Sequence, residues 1–269
     1  MMIGILGASG LIGYNLFVFF KSNGIQTIGS YYSNKRDGLV KLNLFEDNFS
    51  IFNGCTHVVI AAGITNIDDC FRYKQEAYRC NVEKNIELIR YLADRKIKPI
   101  FLSSDQVFDG NKGNYDETEK TNPVNYYGDC KVQVEEFMRK NLKDYLILRL
   151  SKVYSRNLND GGMFAEIFEK LRDGKKVTGA YNQIYNPTDV EIISMGIYHS
   201  INADLTGLYH LADKNIISRF EFAKNIAKEY NFNQCLIERI DFNSLPLLEK
   251  RALNSSLNVE KFHKTFTAV

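Results

Sequence analysis

The chain has almost no net charge: 34 lysines and arginines stand against 32 aspartates and glutamates, a formal +2 over 269 residues. A nucleic-acid or polyanion binder shows a basic excess gathered on one face, so the balance argues against that class and for a small partner. The five cysteines (Cys55, Cys70, Cys80, Cys130, Cys235) form no CxxC pair. An odd number at irregular spacing suits reduced thiols in a cytoplasm better than a disulfide framework, and a cytoplasmic location is expected. The four histidines (His57, His199, His210, His263) lack metal-ligand spacing, and no metal is expected. The opening MMIGILGASG is not a basic leader, and the apolar run from Leu16 to Phe20 is too short for a bilayer. Neither a signal peptide nor a membrane span is expected. No period of about 20 to 50 residues repeats, and no low-complexity linker divides the chain.

What is present is alternation. Short apolar runs (MIGILG, IQTIGS, HVVIAAG, KPIFLSS, YLILRLS) are separated by longer helical patterns such as LIGYNLFVFFKS and IELIRYLADRK. Continuous apolar strands between helices predict a parallel sheet covered on both faces, a Rossmann-type doubly wound α/β fold. After Leu150 the pattern loosens. The predicted division places a dinucleotide-binding domain at 1–153 and 185–213. A smaller, discontinuous substrate-binding domain takes 154–184 and 214–269.

GASGLIG, Gly7 to Gly13, joins the first strand to the first helix. There Gly7 allows a tight turn, Gly10 lets backbone approach a pyrophosphate, and Gly13 lets the helix pack on its strand; Ser9, Leu11 and Ile12 share the turn. Dinucleotide binding is expected. No acidic residue ends the second strand, as an NAD site would want. Ser30, Ser33, Lys35 and Arg36 offer hydroxyls and positive charge for a 2′-phosphate, so NADP(H) is favoured over NAD(H). Lys35 and Arg36 also read as a solvated turn, and Asp37 is close by.

Two tyrosines have a lysine four residues on: Tyr31 with Lys35, and Tyr127 with Lys131 in YYGDCK. The first pair belongs to the adenosine-side loop. The second follows Ser104, which ends the strand KPIFLSS, and NPVN marks a helix start with Pro123 in its first turn. On a helix from Tyr127 to Arg139, Tyr127 and Lys131 share a face, and the ammonium is expected to lower the phenol's pKa. Tyr127 is then a proton donor, Lys131 its tuning partner, and Ser104 a hydroxyl for a substrate carbonyl. Tyr126 has only Cys130 at that offset.

These elements together resemble the extended short-chain dehydrogenase/reductases. More narrowly, SSDQVFDG, AAGITNIDDC, NPTDV and RALNSSLNVEKF resemble the dTDP-4-dehydrorhamnose reductases, in order through nearly the whole chain. The resemblance implies a nucleotide-sugar substrate and a possible homodimer. It implies Ala61, Ala62 and Gly63 against the cofactor, with Asn43 and Leu44 near the adenine and Lys131 on the nicotinamide ribose. Substrate contacts would come from Thr65, Asp105, Val107, Lys152 and Arg251, the last either on the diphosphate or tying down a C-terminal loop. Two departures stand out: Lys152 replaces a usual tryptophan, and Ala252 a usual proline. Asp105-Gln106 stands where related dehydratases carry Asp-Glu, and Gln106 cannot take a proton, which argues for reduction over dehydration. Two alternatives remain open, an NADP-binding regulatory subunit resembling the methionine adenosyltransferase β subunit, and a sugar-nucleotide epimerase.

Overall fold

In a computed structural model, residues 1–46 and 49–266 are described. The first half alternates β1 (Met2–Leu6), α1 (Leu11–Ser22), β2 (Gln26–Tyr31), β3 (Leu39–Lys41), β4 (His57–Ile60), α2 (Ile67–Arg72), α3 (Lys74–Tyr78), α4 (Lys84–Asp94), β5 (Lys98–Ser104), α5 (Tyr126–Asn141) and β6 (Leu146–Leu150). The second half runs β7 (Val153–Tyr154), α6 (Met163–Arg172), β8 (Val177–Ala180), β9 (Ile184–Tyr185), β10 (Thr188–Asp189), α7 (Val190–Asn202), β11 (Gly207–Leu211), β12 (Ile217–Ser218), α8 (Arg219–Glu229), β13 (Ile237–Ile240) and α9 (Glu260–Lys264).

Among the described residues the main sheet has seven parallel strands in the order β11-β6-β5-β4-β1-β2-β3. The order reverses at β1, the switch point at which such sheets bind ligands outside the strands' carboxyl ends. The strands read as unbroken apolar runs because both faces are covered. Ile3, Ile5, Val59, Ile100 and Leu102 pack under α1 and α7, while Val58, Ile60, Phe101 and Ile147 pack under α4 and α5. Phe262 of α9 joins the first of these faces.

A separate apolar cluster forms from α6, α8, β8 and β13, centred on Phe164, Ile167, Phe222 and Ile226. Here β8 and β13 pair in parallel. Ser218 starts α8 with a capping box: its hydroxyl accepts from the Glu221 N–H, and the Glu221 carboxylate returns the bond. The C-terminal loop then crosses back, with Ser255 N–H donating to the Ile184 carbonyl at 3.0 Å. Among the described residues, no helix is long and apolar enough to cross a membrane.

Candidate active site

The turn between β1 and α1 is shaped by contact. Gly7 has φ +79°, and a Cβ there would lie 2.8 Å from the Ala62 backbone; a Cβ on Gly13 would come within 2.3 Å of the Gly7 carbonyl oxygen. Internal packing therefore demands both glycines. Gly10 differs, since its Cβ would meet nothing nearer than 3.6 Å, and its bare backbone borders open space. At the start of α1 the N–H groups of Leu11 and Ile12 have no carbonyl one turn back, which is the cradle an anionic phosphate fits.

Two adjoining cavities follow the carboxyl edge of the sheet. One, of about 630 Å³, lies over β1, β2 and β4 and is lined by Gly7, Ser9, Ser30, Ser33, Asn43 and Leu44. The other, of about 470 Å³, lies over β4, β5 and β6 and is lined by Leu11, Ile12, Thr65, Ser104, Asp105, Tyr127, Lys131, Lys152 and Arg251. Gly10, Ala61, Ala62 and Gly63 border both. An elongated two-part ligand such as a dinucleotide fits this arrangement.

Three expected positions, Lys35, Arg36 and Val107, fall differently, and Ser30 has a second task. Lys35 and Arg36 do not line the first cavity, and Arg36 stacks on the Tyr14 ring, 3.9 Å from its centroid. Ser30 is 2% exposed, and its hydroxyl accepts from the Gly7 N–H at 3.3 Å, so it braces the glycine turn. Val107 is fully buried in a cluster with Phe108 and Tyr115, away from the second cavity. Arg79, not foreseen, borders the first cavity with its guanidinium over the Phe45 ring at 4.6 Å.

At the other end, the catalytic candidates are carried by β5 and α5. The helix starts at Tyr126 because Asn125 caps it, accepting from the Gly128 N–H at 2.9 Å; Pro123 stays outside the first turn. The Asn125 amide also donates to the Gln106 side chain at 3.1 Å, tying the helix start to the loop after β5. Gly128 permits that approach, since a Cβ there would lie 2.0 Å from the Gln106 carbonyl oxygen. Tyr127 is thereby brought to the end of β5, where its phenol faces Ser104 in the same cavity. The Ser104 hydroxyl donates to Asp105 Oδ1 at 3.0 Å and accepts from the Gln106 N–H at 3.2 Å.

Lys131 lies one turn further along α5. Its ammonium donates to the Leu102 carbonyl at 2.8 Å, over the Phe101 ring at 4.5 Å and 5.7 Å from the Tyr127 ring centroid. Burial lowers its pKa to about 8, and the carboxylate of Glu135 works against that fall. The expected lowering of the Tyr127 pKa is not what these surroundings produce. Burial first, and then the negative charge of Asp105, push it up, so the phenol keeps its proton.

Asp105 is 6% exposed and gathers three segments. It accepts from Ser104 on β5, from Ser151 after β6 at 3.4 Å, and from Ser255 of the C-terminal loop. Burial raises its pKa. Arg251 borders the cavity but is engaged, with Nη2 2.8 Å from Asp68 on α2 and Nη1 donating to the Glu249 carbonyl at 2.7 Å. Tyr126 contributes its N–H to Glu249 Oε1 at 2.8 Å, and Tyr31 borders the other cavity, so Tyr127 alone of the three stands beside Ser104.

The RmlD substrate-binding-domain family model matches residues 1–269. The chain belongs to this family. It is 28% identical to the dTDP-4-dehydrorhamnose reductase of Aggregatibacter actinomycetemcomitans, over 97% of this chain and 92% of that protein. It is 24% identical to methionine adenosyltransferase 2 subunit beta of Bos taurus, over 84% of this chain and 71% of that protein. The crystal structure of a hypothetical dTDP-4-dehydrorhamnose reductase from Sulfolobus tokodaii superimposes with TM-score 0.88 at 30% identity, covering 98% of this chain and 94% of that one. Family membership places the chain among the sugar-nucleotide reductases, a group of NAD(P)-dependent oxidoreductases.

Proposed function

We propose that this chain is an NADPH-dependent reductase of the 4-keto group on a nucleotide-linked sugar or deoxysugar, in surface-polysaccharide or deoxysugar biosynthesis. The observation that carries the reading is the meeting of Ser104, Tyr127 and Lys131 at the end of β5, inside a cavity continuous with the glycine turn. Gly7 to Ile12 would hold the cofactor's diphosphate, Ser33, Asn43 and Leu44 its adenosine end, and Ala61 to Gly63 the span between. Tyr127 and Lys131 would meet the nicotinamide ribose. The residues at 154–184 and 214–269 would serve as the substrate-binding domain.

NADPH, when bound, supplies hydride to the carbonyl carbon. The chain's own residues hold the carbonyl and feed its oxygen a proton. Tyr127, kept protonated by burial and by Asp105, is a loaded acid at neutral pH. As its proton leaves, the Lys131 ammonium faces the developing phenolate across one helical turn and stabilises it. Ser104 sits between the phenol and Asp105, positioned to hold the substrate oxygen. The intact trio favours an enzyme over a regulatory subunit.

The decisive experiment follows NADPH oxidation in parallel with dTDP-, UDP-, GDP- and CDP-linked 4-keto sugars, 6-deoxyhexoses and hexuronates alike. Oxidation with one of them, lost in Tyr127→Phe, is the expected outcome. Silence across the panel, with stoichiometric capture of a partner enzyme from cell extract, would turn the reading to a regulatory subunit.

A further inference from the structure

Two charged side chains of the second cavity, Arg251 and Lys152, are not used by the proposed chemistry, and of these Arg251 is held by Asp68. Ser104 lies abreast of Leu150 in the β5–β6 pairing, and Lys152 follows two residues later at the same edge. Its backbone is pinned, since its carbonyl accepts from the Thr188 N–H at 2.9 Å. Its ammonium has no hydrogen bond or ion pair among the described residues. Solvent reaches it through the cavity, yet the surrounding protein pushes its pKa down, and Arg219 and Arg251 push the same way.

Those two neighbours have acids of their own. Arg251 is 2.8 Å from Asp68, and Arg219 is 3.7 Å from Glu166. Asp105, the buried acid that Lys152 feels, is already taken up by Ser104, Ser151 and Ser255. The edge of the cavity beside the reacting trio is therefore left with a positive charge that no acid among the described residues answers. A sugar hydroxyl can accept a hydrogen bond from such an ammonium, but it cannot cancel the charge. An anion does both, and charge-assisted bonds are roughly twice as strong as neutral ones.

Resting on the reductase reading, we propose that Lys152 selects an acidic sugar, so that the substrate is a nucleotide sugar whose ring carries a carboxylate close to the carbonyl held by Ser104 and Tyr127. Lys152 binds that carboxylate as a point charge, and the diphosphate is met elsewhere in the cavity.

Matched pairs test this by isothermal titration on the full chain loaded with NADP⁺, using UDP-glucuronate against UDP-glucose and dTDP-glucuronate against dTDP-glucose. Each pair shares its nucleotide and diphosphate and differs at the sugar carboxylate. The expected result is an acid sugar bound at least about tenfold more tightly, a preference retained in Lys152→Arg and reduced to near unity in Lys152→Gln. Equal binding of the two members by the unaltered protein would overturn the inference while leaving the reductase reading in place. So would a parallel weakening of both in Lys152→Gln, which would put the ammonium on the diphosphate. Failure of all four ligands to bind would instead overturn the inference for uridine and thymidine nucleotides and leave the reductase reading to GDP- and CDP-sugars.

Discussion

Ser103 and Ser104 are consecutive residues of β5, yet they belong to two opposite treatments of buried charge. On the α5 side, Ser103 donates to Glu135 Oε1 at 2.5 Å, and Arg149 of β6 grips the same carboxylate through Nε at 2.9 Å and through Nη2. Glu135 and Arg149 are each 1% exposed. His210 of β11 lies 3.4 Å from Arg149, and burial with that guanidinium drives its pKa down to about 3, so it stays neutral. Each of these side chains has a partner. Around Ser104 the groups stay open: Tyr127 faces one hydroxyl, Lys131 holds one carbonyl, and Lys152 has no partner among the described residues. Closed networks fix how β5, β6 and α5 sit on one another, and open groups are left free to meet a ligand.

That contrast is tested hardest by breaking the closed side. Glu135→Gln leaves the Arg149 charge buried without its counter-ion, which costs about 3–5 kcal/mol. For a domain of this size the melting temperature should fall by roughly 10 °C, while turnover per folded molecule at pH 6.5 stays within about tenfold. A drop of less than about 2 °C in a thermal scan would mean that the pair does not hold the frame. The open side should answer in reverse. Tyr127→Phe should cut turnover at least a hundredfold, about 2.7 kcal/mol of barrier, with NADPH binding nearly intact and a melting point within about 2 °C of the parent.

The two regions touch at one place, and pH exposes it. Lys131 carries its charge below about 8 and loses it above, so turnover at saturating NADPH should fall as pH rises through that value, approaching tenfold per pH unit. Glu135, across the turn, raises the Lys131 pKa. In Glu135→Gln the falling limb should therefore move to lower pH. A limb unmoved by that substitution would separate the two regions electrostatically.

How far this was readable in the sequence follows the same division. The strands β1, β2, β4, β5 and β6 and the helix α1 were legible because unbroken apolar runs and helical periodicity are local signals, whereas β3, three residues at the sheet's edge, carries no such run. Ser104, Tyr127 and Lys131 were legible because a strand end and an i,i+4 pair fix their placement. The β8–β13 pairing was not, since it joins segments about 60 residues apart without a continuous apolar run. Nor was the direction of the Tyr127 shift, which depends on burial and on Asp105 more than on the lysine spacing. Arg149 did leave a trace, a charge inside the apolar run LILRL, but its partner Glu135 lies 14 residues back on another element. Ser30, Lys35 and Arg36 were placed by composition alone. The fold keeps Ser30 at the first cavity, where it also braces the turn, and stacks Arg36 on Tyr14.

The smallest expected effect on the fold separates the glycines of the turn by the same rule. Gly7 and Gly13 are closed in by the chain, so an added Cβ meets backbone at 2.8 Å and 2.3 Å, and Gly7→Ala and Gly13→Ala should both lose stability. Gly10 has φ −77° and ψ 172°, a conformation alanine adopts freely, and the nearest atom to an added Cβ is 3.6 Å away. Gly10→Ala should therefore shift stability by about 0.5 kcal/mol or less, a change measurable by urea unfolding. The methyl would nevertheless stand in the cradle that the two cavities share, and NADPH affinity should drop about tenfold or more. A stable Gly10→Ala protein that binds NADPH as the parent does would show that the glycine turn holds no pyrophosphate.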